Sequence, residues 1–396
     1  MDELRNPYRP GAGARPPALI GRDQLIEQFG ITLRRAAARR PGKSLMPTGL
    51  RGVGKTVLLN RFAEIAAGEG WSRAFIEAPE GTDFRVLLAA HLRKGLLELR
   101  ARQATGAVLR ALRILKAFSL KIPDGPTVVI DVDPLIGMAD SGLIADDVTD
   151  LLVALGEATA ESGVGFLIAI DELQYLVEEA LAALISAVHR TAQLDLPVVL
   201  VGAGLPQLPG LAGEAKSYAE RLFEFPQIGS LDHEDAEAAL QVPAQQAQTE
   251  FTAAALAKIV RESHGYPYFL QEWGYQVWNQ SAGPAMTAAD VEEAKPVVIR
   301  RLDENFFRVR FDRLTPKEKE YLRAMAELGP GPHRSGDIAG CLGVKVESVA
   351  PRRSGLIIKG MIFSPAHGDT AFTVPLFDEY LRRAMPHFEG HSPAHR

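Results

Sequence analysis

Residues 49–56 set the interpretation of this sequence: they are Gly49, Leu50, Arg51, Gly52, Val53, Gly54, Lys55 and Thr56, a G-x-x-x-x-G-K-T pattern. Glycines let the backbone turn tightly and direct successive N–H groups toward one point. The apolar residues that follow, Val57, Leu58 and Leu59, predict a helix whose positive N-terminal end faces the same point. Lys55 can then reach the β- and γ-phosphates of a nucleotide, and the Thr56 hydroxyl can bind Mg²⁺. The pattern therefore predicts a phosphate-binding loop, with an ordinary glycine-rich turn as the alternative.

A polar pair follows an apolar run at residues 165–170, which is typical of a central strand buried on both faces. Asp171 and Glu172 come directly after this run. The carboxyl end of a parallel strand lies at the edge where α/β sheets bind ligands. We expect Asp171 to hold Mg²⁺ through a water molecule, and Glu172 to orient and deprotonate the attacking water. The alternative is that both acids only favour the start of a helix.

Other short apolar runs fit the same sheet. They lie at residues 44–46, 72–76, 197–202 and 223–225, and segments with helical patterns separate them. This alternation of strand and helix predicts an α/β fold with a doubly wound parallel sheet, the architecture of the P-loop NTPases.

The composition is typical of a soluble globular protein, because 46% of the 396 residues are hydrophobic, 23% are charged and the net charge is −5. The length suffices for two or three domains. Cys341 is the single cysteine, which excludes an intramolecular disulfide framework and favours a cytoplasmic location. We expect neither a signal peptide nor a membrane span, since the N-terminus lacks an apolar core and no run of about 18 apolar residues occurs.

Charge is distributed unevenly along the middle of the chain. Residues 91–121 contain eight basic side chains and one acid, whereas residues 122–189 contain thirteen acids and no Lys or Arg. Leucines in the basic segment predict a pair of amphipathic helices that separate near Gly106. These helices either contact nucleic acid or an acidic partner, or they pack through their leucines beside the acidic stretch, and the second interpretation is favoured.

Arg221 stands just before the last predicted strand. In a multimeric ATPase, an arginine at this place can reach the γ-phosphate bound by a neighbouring subunit. The alternative is a surface arginine that pairs with Glu220 or Glu224.

Residues 232–294 are expected to form helices that cover the nucleotide as a lid. Asp232 is a candidate N-terminal cap. Gly265 follows the end of one predicted helix, and Pro267 suits the first turn of the next. The alternative is a plain helical bundle whose aromatic residues only pack together.

The pattern changes after Leu314. Thr315 and Pro316 predict the start of a helix, residues 335–342 a second helix, and residues 346–358 a third that Pro351 interrupts. Residues 360–363 and 371–374 predict a β-hairpin whose turn contains His367. This order of elements is typical of a winged helix.

The third helix of this unit is a candidate surface for DNA. It would present a group of polar and basic side chains to the major groove: Lys345, Ser348, Arg352, Arg353 and Lys359. Glu347 dilutes this charge, and the hairpin turn has no Lys or Arg. Docking of a protein is therefore the alternative.

Together these motifs resemble the origin-recognition-like AAA+ ATPases, to which archaeal-type and STAND P-loop ATPases are related. The resemblance covers about residues 18–385 and rests on the phosphate-binding loop and on Asp171 and Glu172, with weaker matches at residues 21–23, Arg221 and residues 265–267. It implies that residues 21–23 lie near the adenine, that Arg221 is an arginine finger, and that Gly265 and Pro267 belong to the lid motif.

Two features depart from that family. Residues 202–204 are Gly-Ala-Gly where many AAA+ proteins place a polar side chain that senses the γ-phosphate, and the lid shows no obvious sensor arginine. Both departures predict slow hydrolysis. The expected layout is a P-loop ATPase domain at residues 1–229 with a helical insertion at about 85–145, a lid at 230–305 and a winged helix at 306–396.

The sequence thus predicts an ATPase that binds ATP and Mg²⁺ and acts as a nucleotide-controlled switch. Its binding and slow hydrolysis of ATP would be coupled to double-stranded DNA, to a protein partner or to assembly of a homo-oligomer. Two alternatives are a STAND-like signalling scaffold with little turnover, and a DNA-binding regulator in which the nucleotide is structural.

Overall fold

The computed structural model describes residues 1–390 except 12, 41, 79, 80, 82, 123–128, 367 and 389. Part of the predicted helical insertion, and His367 of the predicted hairpin turn, therefore lie outside the described residues. None of the helices in these residues combines the length and the apolarity that crossing a bilayer requires.

The central sheet of the described chain is parallel, and its strands are β1 (Ser44–Leu45), β2 (Ser72–Glu77), β3 (Phe166–Asp171), β4 (Val198–Gly202) and β5 (Phe223–Glu224). β3 pairs with β2 on one side and β4 on the other, and β1 pairs with β5. Single parallel bridges from Thr48 to Gly204 and Gln227 join the two sets. The order across the sheet is therefore β2-β3-β4-β1-β5, and the predicted parallel α/β architecture is confirmed.

Helices cover both faces of this sheet: α1 (Asp23–Ala37), α2 (Lys55–Gly68), α3 (Phe84–Arg102), α4 (Gly106–Leu120), α5 (Ile144–Glu161), α6 (Glu178–Gln193), α7 (Leu208–Ala215) and α8 (Ala219–Leu222). Alternate residues of β3 point to opposite faces. Leu167 and Ala169 belong to the core that contains α1 and α2, whereas Phe166, Ile168 and Ile170 belong to the core that contains α3 to α6. Both faces are buried, which explains the continuous apolar run in the sequence.

Half of the eight Lys and Arg residues of α3 and α4 contact the chain that follows these helices. Four of them do so, in the pairs Arg93 with the carbonyl oxygen of Val129, Arg110 with Glu157, Arg113 with the carbonyl oxygen of Asp133, and Lys116 with the carbonyl oxygens of Ile130 and Val132. Their leucines lie in the core. The structure therefore supports the packing interpretation of this basic segment.

The helical segment that was predicted as a lid, and is called the lid below, follows the sheet and consists of α9 (His233–Gln246), α10 (Ala253–Ser263), α11 (Pro267–Gln280), α12 (Ala288–Leu302) and the short parallel pair β6 (Glu250–Phe251) and β7 (Ala285–Met286). Asp232 caps α9 by accepting a hydrogen bond from the Asp235 N–H at 2.8 Å. Pro267 occupies the first turn of α11, where its missing N–H costs nothing. These predicted helix starts are confirmed.

One continuous helical segment leads out of the lid. α12 passes into a π-helical turn at Asp303–Phe307 and then into α13 (Arg308–Phe311). The expected boundary between residues 305 and 306 lies inside this segment, because the lid helix continues past the last residue that its sequence pattern suggested. The π turn directs Phe306 and Phe307 into the core.

The C-terminal module (residues 314–390) contains α14 (Pro316–Glu327), β8 (His333–Arg334), α15 (Ser335–Cys341), α16 (Val346–Ile358), β9 (Ile362–Phe363), β10 (Asp369–Phe372) and α17 (Phe377–Ala384). The three strands form an antiparallel sheet in the order β8-β10-β9. The expected interruption at Pro351 does not occur, because α16 continues through it. The carbonyl group that Pro351 leaves without a donor belongs to Glu347, an exposed residue whose backbone can bond to water.

The N-terminal nine residues are fixed to the lid. The N-terminal ammonium group of Met1 donates to the carbonyl oxygen of Ser281 at 2.7 Å, and the Tyr8 hydroxyl donates to that of Leu240 at 2.5 Å. Tyr8 is fully buried against Gly274, where a β-carbon would lie 2.6 Å from its ring. Residues 13–20 then pass the phosphate-binding loop, where Gly13 lies beside Thr56, and lead to α1.

Candidate functional site

Glycines fix the shape of the phosphate-binding loop. Gly52 and Gly54 have φ angles of 89° and 93°, which residues with a β-carbon rarely adopt. A β-carbon on Gly49 would lie 2.2 Å from the carbonyl oxygen of Ile228. The loop therefore requires glycine at each of these positions.

Lys55 begins α2 and is buried, with 6% of its surface exposed. Its ammonium group donates hydrogen bonds of 2.9 Å to the carbonyl oxygens of Gly49 and Leu50. Burial lowers the pKa of this ammonium group, and the charges of Glu172 and Asp171 oppose the change. The cation lies inside the curve of the loop, beside the helix N-terminus where phosphate groups bind.

Thr56 and Asp171 lie next to each other although they are 115 positions apart in the chain. The Thr56 hydroxyl donates a hydrogen bond of 2.5 Å to the Asp171 carboxylate. Burial raises the pKa of the Asp171 carboxyl group, and the hydrogen bond from Thr56 opposes the change. In the described ranges, no cluster of three or more His, Cys, Asp or Glu side chains could hold a metal ion. Mg²⁺ at this oxygen pair would therefore take its other ligands from phosphate and water.

Both carboxylate oxygens of Glu172 are engaged. Oε2 accepts a hydrogen bond from the side-chain amide of Gln174, and Oε1 lies 3.7 Å from the Arg51 guanidinium. Gln174 also accepts a hydrogen bond of 3.0 Å from the backbone N–H of Leu205, which follows β4. The backbone of Glu172 is left-handed, with a φ of 56°, which is uncommon for a residue that has a side chain.

Arg51 joins the loop to three other parts of the chain. Its guanidinium donates to the Tyr175 hydroxyl and, at 3.4 Å, to the carbonyl oxygen of Gly360. Its backbone N–H donates to the carbonyl oxygen of Thr373 at 3.3 Å. Its own carbonyl oxygen accepts a hydrogen bond from the Tyr266 hydroxyl. Sequence reasoning placed Arg51 in the loop but missed these contacts, because no local pattern indicates them.

A cavity of about 520 Å³ lies over the loop. Its wall combines the loop, the sheet edge, the lid and the segment that leads to the C-terminal module, through residues 51–57, Asp171, Glu172, Pro267, Tyr268, Phe306 and Arg310. Among the described residues that line it, cations outnumber carboxylates by five to three. The cavity therefore has the charge that suits a polyphosphate ligand.

Some predicted binding residues support this wall without lining it. Gly49 and Leu50 contribute the carbonyl oxygens that hold Lys55. Gly265 has a φ of 65°, and its carbonyl oxygen accepts a hydrogen bond of 2.9 Å from the Leu231 N–H. Gly265 thus fixes the start of the lid, and Pro267 is the residue of this pair that faces the cavity.

Arg310 lines the cavity and was missed in the sequence. Its guanidinium lies 4.2 Å from the centre of the Phe306 ring and donates to the carbonyl oxygen of the same residue. Burial, and then the charge of Arg51, lower the pKa of Arg310 to about 10, so that it remains a cation at neutral pH. The part of the chain that the structure describes gives it no carboxylate partner. The cation is therefore available to an anionic ligand.

Arg22 is a second arginine of the cavity wall, and the fold determines its position there. It lines the cavity and donates to the carbonyl oxygens of Val53 at 3.4 Å and Gly229 at 2.9 Å. Burial lowers the pKa of its guanidinium, and Asp235 opposes the change. Of residues 21–23, Arg22 lines this cavity, and the position of the segment near an adenine stays a prediction.

Arg221 lies in α8, outside the cavity of its own chain. It is exposed and, within the described residues, forms no ion pair with Glu220 or Glu224. Glu224 instead accepts a hydrogen bond from Gln28. Nothing in the described part of its own chain therefore holds the Arg221 side chain in place.

Two family models match separate parts of the chain. One, described as AAA ATPase domain, matches residues 18–201. The other, described as a domain of unknown function (DUF8462), matches residues 304–381 and so includes Arg310 and most of the C-terminal module. No curated protein sequence is significantly similar to this chain.

Solved structures with a similar fold include the Walker-type ATPase of Pyrococcus abyssi, with 15% identity and a TM-score of 0.61 over 94% of this chain and 98% of that one. The RuvB Holliday junction branch migration motor of Thermotoga maritima has 16% identity and a TM-score of 0.46 over 94% and 96%. Cdc6p from Pyrobaculum aerophilum has 14% identity and a TM-score of 0.45 over 98% of both chains. At these identities, the likeness to the Walker-type ATPase establishes the fold alone.

Asp171 should limit the stability of the protein without nucleotide. Because the folded state raises the pKa of this carboxyl group, its ionised form destabilises the fold at neutral pH, and protonation removes that cost as the pH falls through the raised value. We therefore expect Asp171→Asn to increase the melting temperature in EDTA at pH 8, with a gain that shrinks on acidification. Calorimetric melting of both proteins across pH tests this, with the exposed Asp131→Asn as a control. Equal melting temperatures at pH 8 would contradict it.

Proposed function

We propose that this chain, whose residues 18–201 match the model of an AAA ATPase domain, is a nucleotide-controlled switch whose C-terminal module carries the output. The observation that carries this proposal is the composition of the cavity wall. The phosphate-binding loop, the lid and the segment leading to the C-terminal module all line one cavity. A nucleotide bound there would contact each of them, so its presence and its phosphate number would bias their arrangement.

In this proposal the loop holds the phosphates of ATP. Lys55 would exchange its two carbonyl partners for phosphate oxygens, which carry full negative charge and bind an ammonium ion more strongly. Thr56 and Asp171 would hold Mg²⁺, which neutralises charge on the phosphates when bound. Glu172 would orient and deprotonate the attacking water. Its present partners, Arg51 and Gln174, would have to yield an oxygen for that purpose.

Arg310 would supply a phosphate contact from outside the AAA ATPase domain. Its guanidinium has no carboxylate partner among the described residues and shares the cavity with Arg51 and Lys55. A bound polyphosphate would relieve the repulsion between these cations. This contact would give the lid side of the molecule the arginine that its sequence motif lacks.

We propose three units in the chain, with one change to the expected layout. Residues 1–229 would form the ATPase domain, and the lid would extend from 230 to 311. The helical continuity from α12 to α13 supports this longer lid. The winged-helix unit would then begin after Phe311.

For the output surface we propose a protein partner in preference to DNA. The exposed residues of α16 include no Lys or Arg, although Lys345, which precedes the helix, is exposed: they are Val346, Glu347, Ser348, Ala350, Pro351, Ser354 and Ile358. Arg353 instead donates to Thr370 and Ser364 within the module, and Lys359 pairs with Glu318 at 2.8 Å. DNA binding depends on cations that reach phosphates, so this helix is poorly suited to the major groove.

Loss of the loop lysine and loss of the candidate base should have different effects. We expect Lys55→Ala to weaken ATP affinity by at least about tenfold, because it removes a charged donor to the phosphates. We expect Glu172→Gln to keep ATP affinity and to lower turnover by about 10²–10⁴-fold, the range for loss of a general base. Calorimetry and a phosphate-release assay measure the two effects. The control is Glu178→Gln, at an exposed position. If the parent protein does not bind ATP, the proposal is refuted.

Arg221 should act between subunits. We expect Arg221→Ala to lower turnover by about 10³-fold or more with little change in ATP affinity, because the finger would stabilise charge in the transition state. Mixing Arg221→Ala with Lys55→Ala protein should recover part of the activity, since each supplies the group that the other lacks. The exposed Arg40→Ala is the control. Activity independent of protein concentration, with no recovery on mixing, would show that Arg221 does not act in trans.

DNA binding through α16 should be weak. We expect duplex DNA to bind with a Kd of no less than about 10⁻⁶ M at physiological salt, the range of non-specific contacts. Arg352→Ala should not change this affinity. Fluorescence anisotropy at several salt concentrations, with and without ATP, tests the expectation. Nanomolar binding whose salt slope falls by about one unit in Arg352→Ala would instead favour DNA as the partner.

A further inference from the structure

We infer that Arg51 is a positioning residue for Glu172 and that the C-terminal module controls it. With the module docked, Arg51 holds Glu172 in a resting arrangement, and undocking of the module raises ATP turnover. This inference rests on the hydrolytic role proposed above for Glu172.

The base of the module's hairpin forms the docking point for Arg51. Thr373 closes this base by donating its hydroxyl to the carbonyl oxygen of Gly360 at 2.7 Å and its N–H to that of Met361 at 3.1 Å. The carbonyl oxygens of Gly360 and Thr373 then accept the Nε–H and the backbone N–H of Arg51. Two neighbouring acceptors on the module thus hold one residue of the phosphate-binding loop.

Gly360 is shaped for this contact. Its φ of 62° suits glycine, and a β-carbon there would lie 2.6 Å from a terminal guanidinium nitrogen of Arg51. The carbonyl groups of Gly360 and Thr373 lie 3.4 and 3.3 Å from their Arg51 donors, near the upper limit for a hydrogen bond. The two bonds are therefore weak individually, so the contact of Arg51 with the hairpin base contributes little to holding the module in place.

The docked module determines where the Arg51 charge points. A guanidinium is planar and donates in fixed directions. Its Nε–H is directed to Gly360 and one terminal nitrogen to Tyr175, so the other terminal nitrogen faces Glu172 at 3.7 Å. The module thereby orients the cation toward the carboxylate without touching that carboxylate itself.

In this arrangement each carboxylate oxygen of Glu172 already has a polar neighbour, which competes with a water molecule for it. Arg51 occupies the side of Oε1, and the amide of Gln174 donates to Oε2. A general base must lie within hydrogen-bond reach of the proton that it removes. The left-handed backbone of Glu172 is a second sign of a held conformation, because such strain persists only where the surroundings enforce it.

Undocking would change the partners of both side chains. Without Gly360, the guanidinium loses the Nε–H bond that helps to fix its direction, and without Thr373 the backbone N–H of Arg51 loses its acceptor. The phosphates of ATP in the same cavity then compete with Glu172 for the cation. Glu172 regains an oxygen for water, and the position of the module is thereby linked to hydrolysis.

Two substitutions break the same contact from opposite sides. Arg51→Ala removes the cation, and Gly360→Ala forces it away. We expect each to raise kcat by about five- to tenfold, the change expected when a contact of ordinary strength no longer favours the docked state. The double variant should be no faster than either single variant, because both act through one contact. Amide hydrogen exchange of residues 360–363 should rise in Arg51→Ala, which reports undocking directly.

Gly329→Ala is the matched control for Gly360→Ala. Gly329 also lies in the C-terminal module and has a φ of 100°, but a β-carbon there would meet nothing within 4 Å. The Gly329→Ala substitution therefore introduces the same kind of backbone strain as Gly360→Ala without displacing Arg51. We expect its kcat to equal that of the parent. An equal rise in Gly329→Ala would mean that general destabilisation, and not the Arg51 contact, raises turnover.

The outcomes separate this inference from the proposed function. If the parent binds ATP but Arg51→Ala has an unchanged or lower kcat, the inference is overturned and the ATPase switch stands. If the parent does not bind ATP at all, the proposed function itself fails. Arg51→Ala lies in the loop and does not depend on the folding of the module, so it remains decisive if Gly360→Ala is unstable.

Discussion

The bare backbone at Gly52 is the constraint on which the arrangement of the units depends. A β-carbon there would lie 3.1 to 3.4 Å from Tyr266, Tyr268 and Phe306. The first two lie at the start of α11 in the lid, and the third lies in the π turn that follows α12. The N–H of Tyr268 also donates to the carbonyl oxygen of Gly52 at 3.3 Å. The lid can lie this close only because the loop has no side chain at that position.

This close packing makes the ATPase domain, the lid and the C-terminal module parts of one structural unit. One hydrophobic core runs from α1 and α2 through the lid to the helices of the C-terminal module. Phe306 and Phe307 lie in that core, and Phe307 stacks on Tyr380 with ring centres 5.3 Å apart. A movement of the loop or of the lid is therefore transmitted to the C-terminal module through direct contacts. A relay of distant residues is not required.

The parts of the fold that the sequence predicts are those with local causes. The turn of the phosphate-binding loop needs glycine, β3 is apolar because both its faces are covered, and Asp232 and Pro267 act within a single helical turn. Asp171 could be placed near Thr56 because parallel strands end at one edge. Each of these predictions follows from contacts inside one element or one sheet.

The rest depends on contacts between residues distant in the sequence. Arg51 and Gly360 are 309 positions apart, and neither belongs to a pattern that suggests the other. Arg310 follows an aromatic pair in a helix, a place where a surface arginine is equally common. Arg353 and Lys359 were expected at a DNA surface because their helix is the third helix of the predicted winged helix. Only the fold directs them toward Thr370 and Glu318.

The end of β4 shows how a departure from a family pattern is compensated in three dimensions. Residues 202–204 have no polar side chain, so this strand cannot contact a phosphate directly. The N–H of Leu205 instead binds Gln174, and Gln174 binds Glu172. A displacement at the end of β4 would therefore reach the candidate base through one amide side chain. Such an indirect connection supports a switch that responds to nucleotide through the position of Glu172, and it fits slow hydrolysis better than rapid turnover.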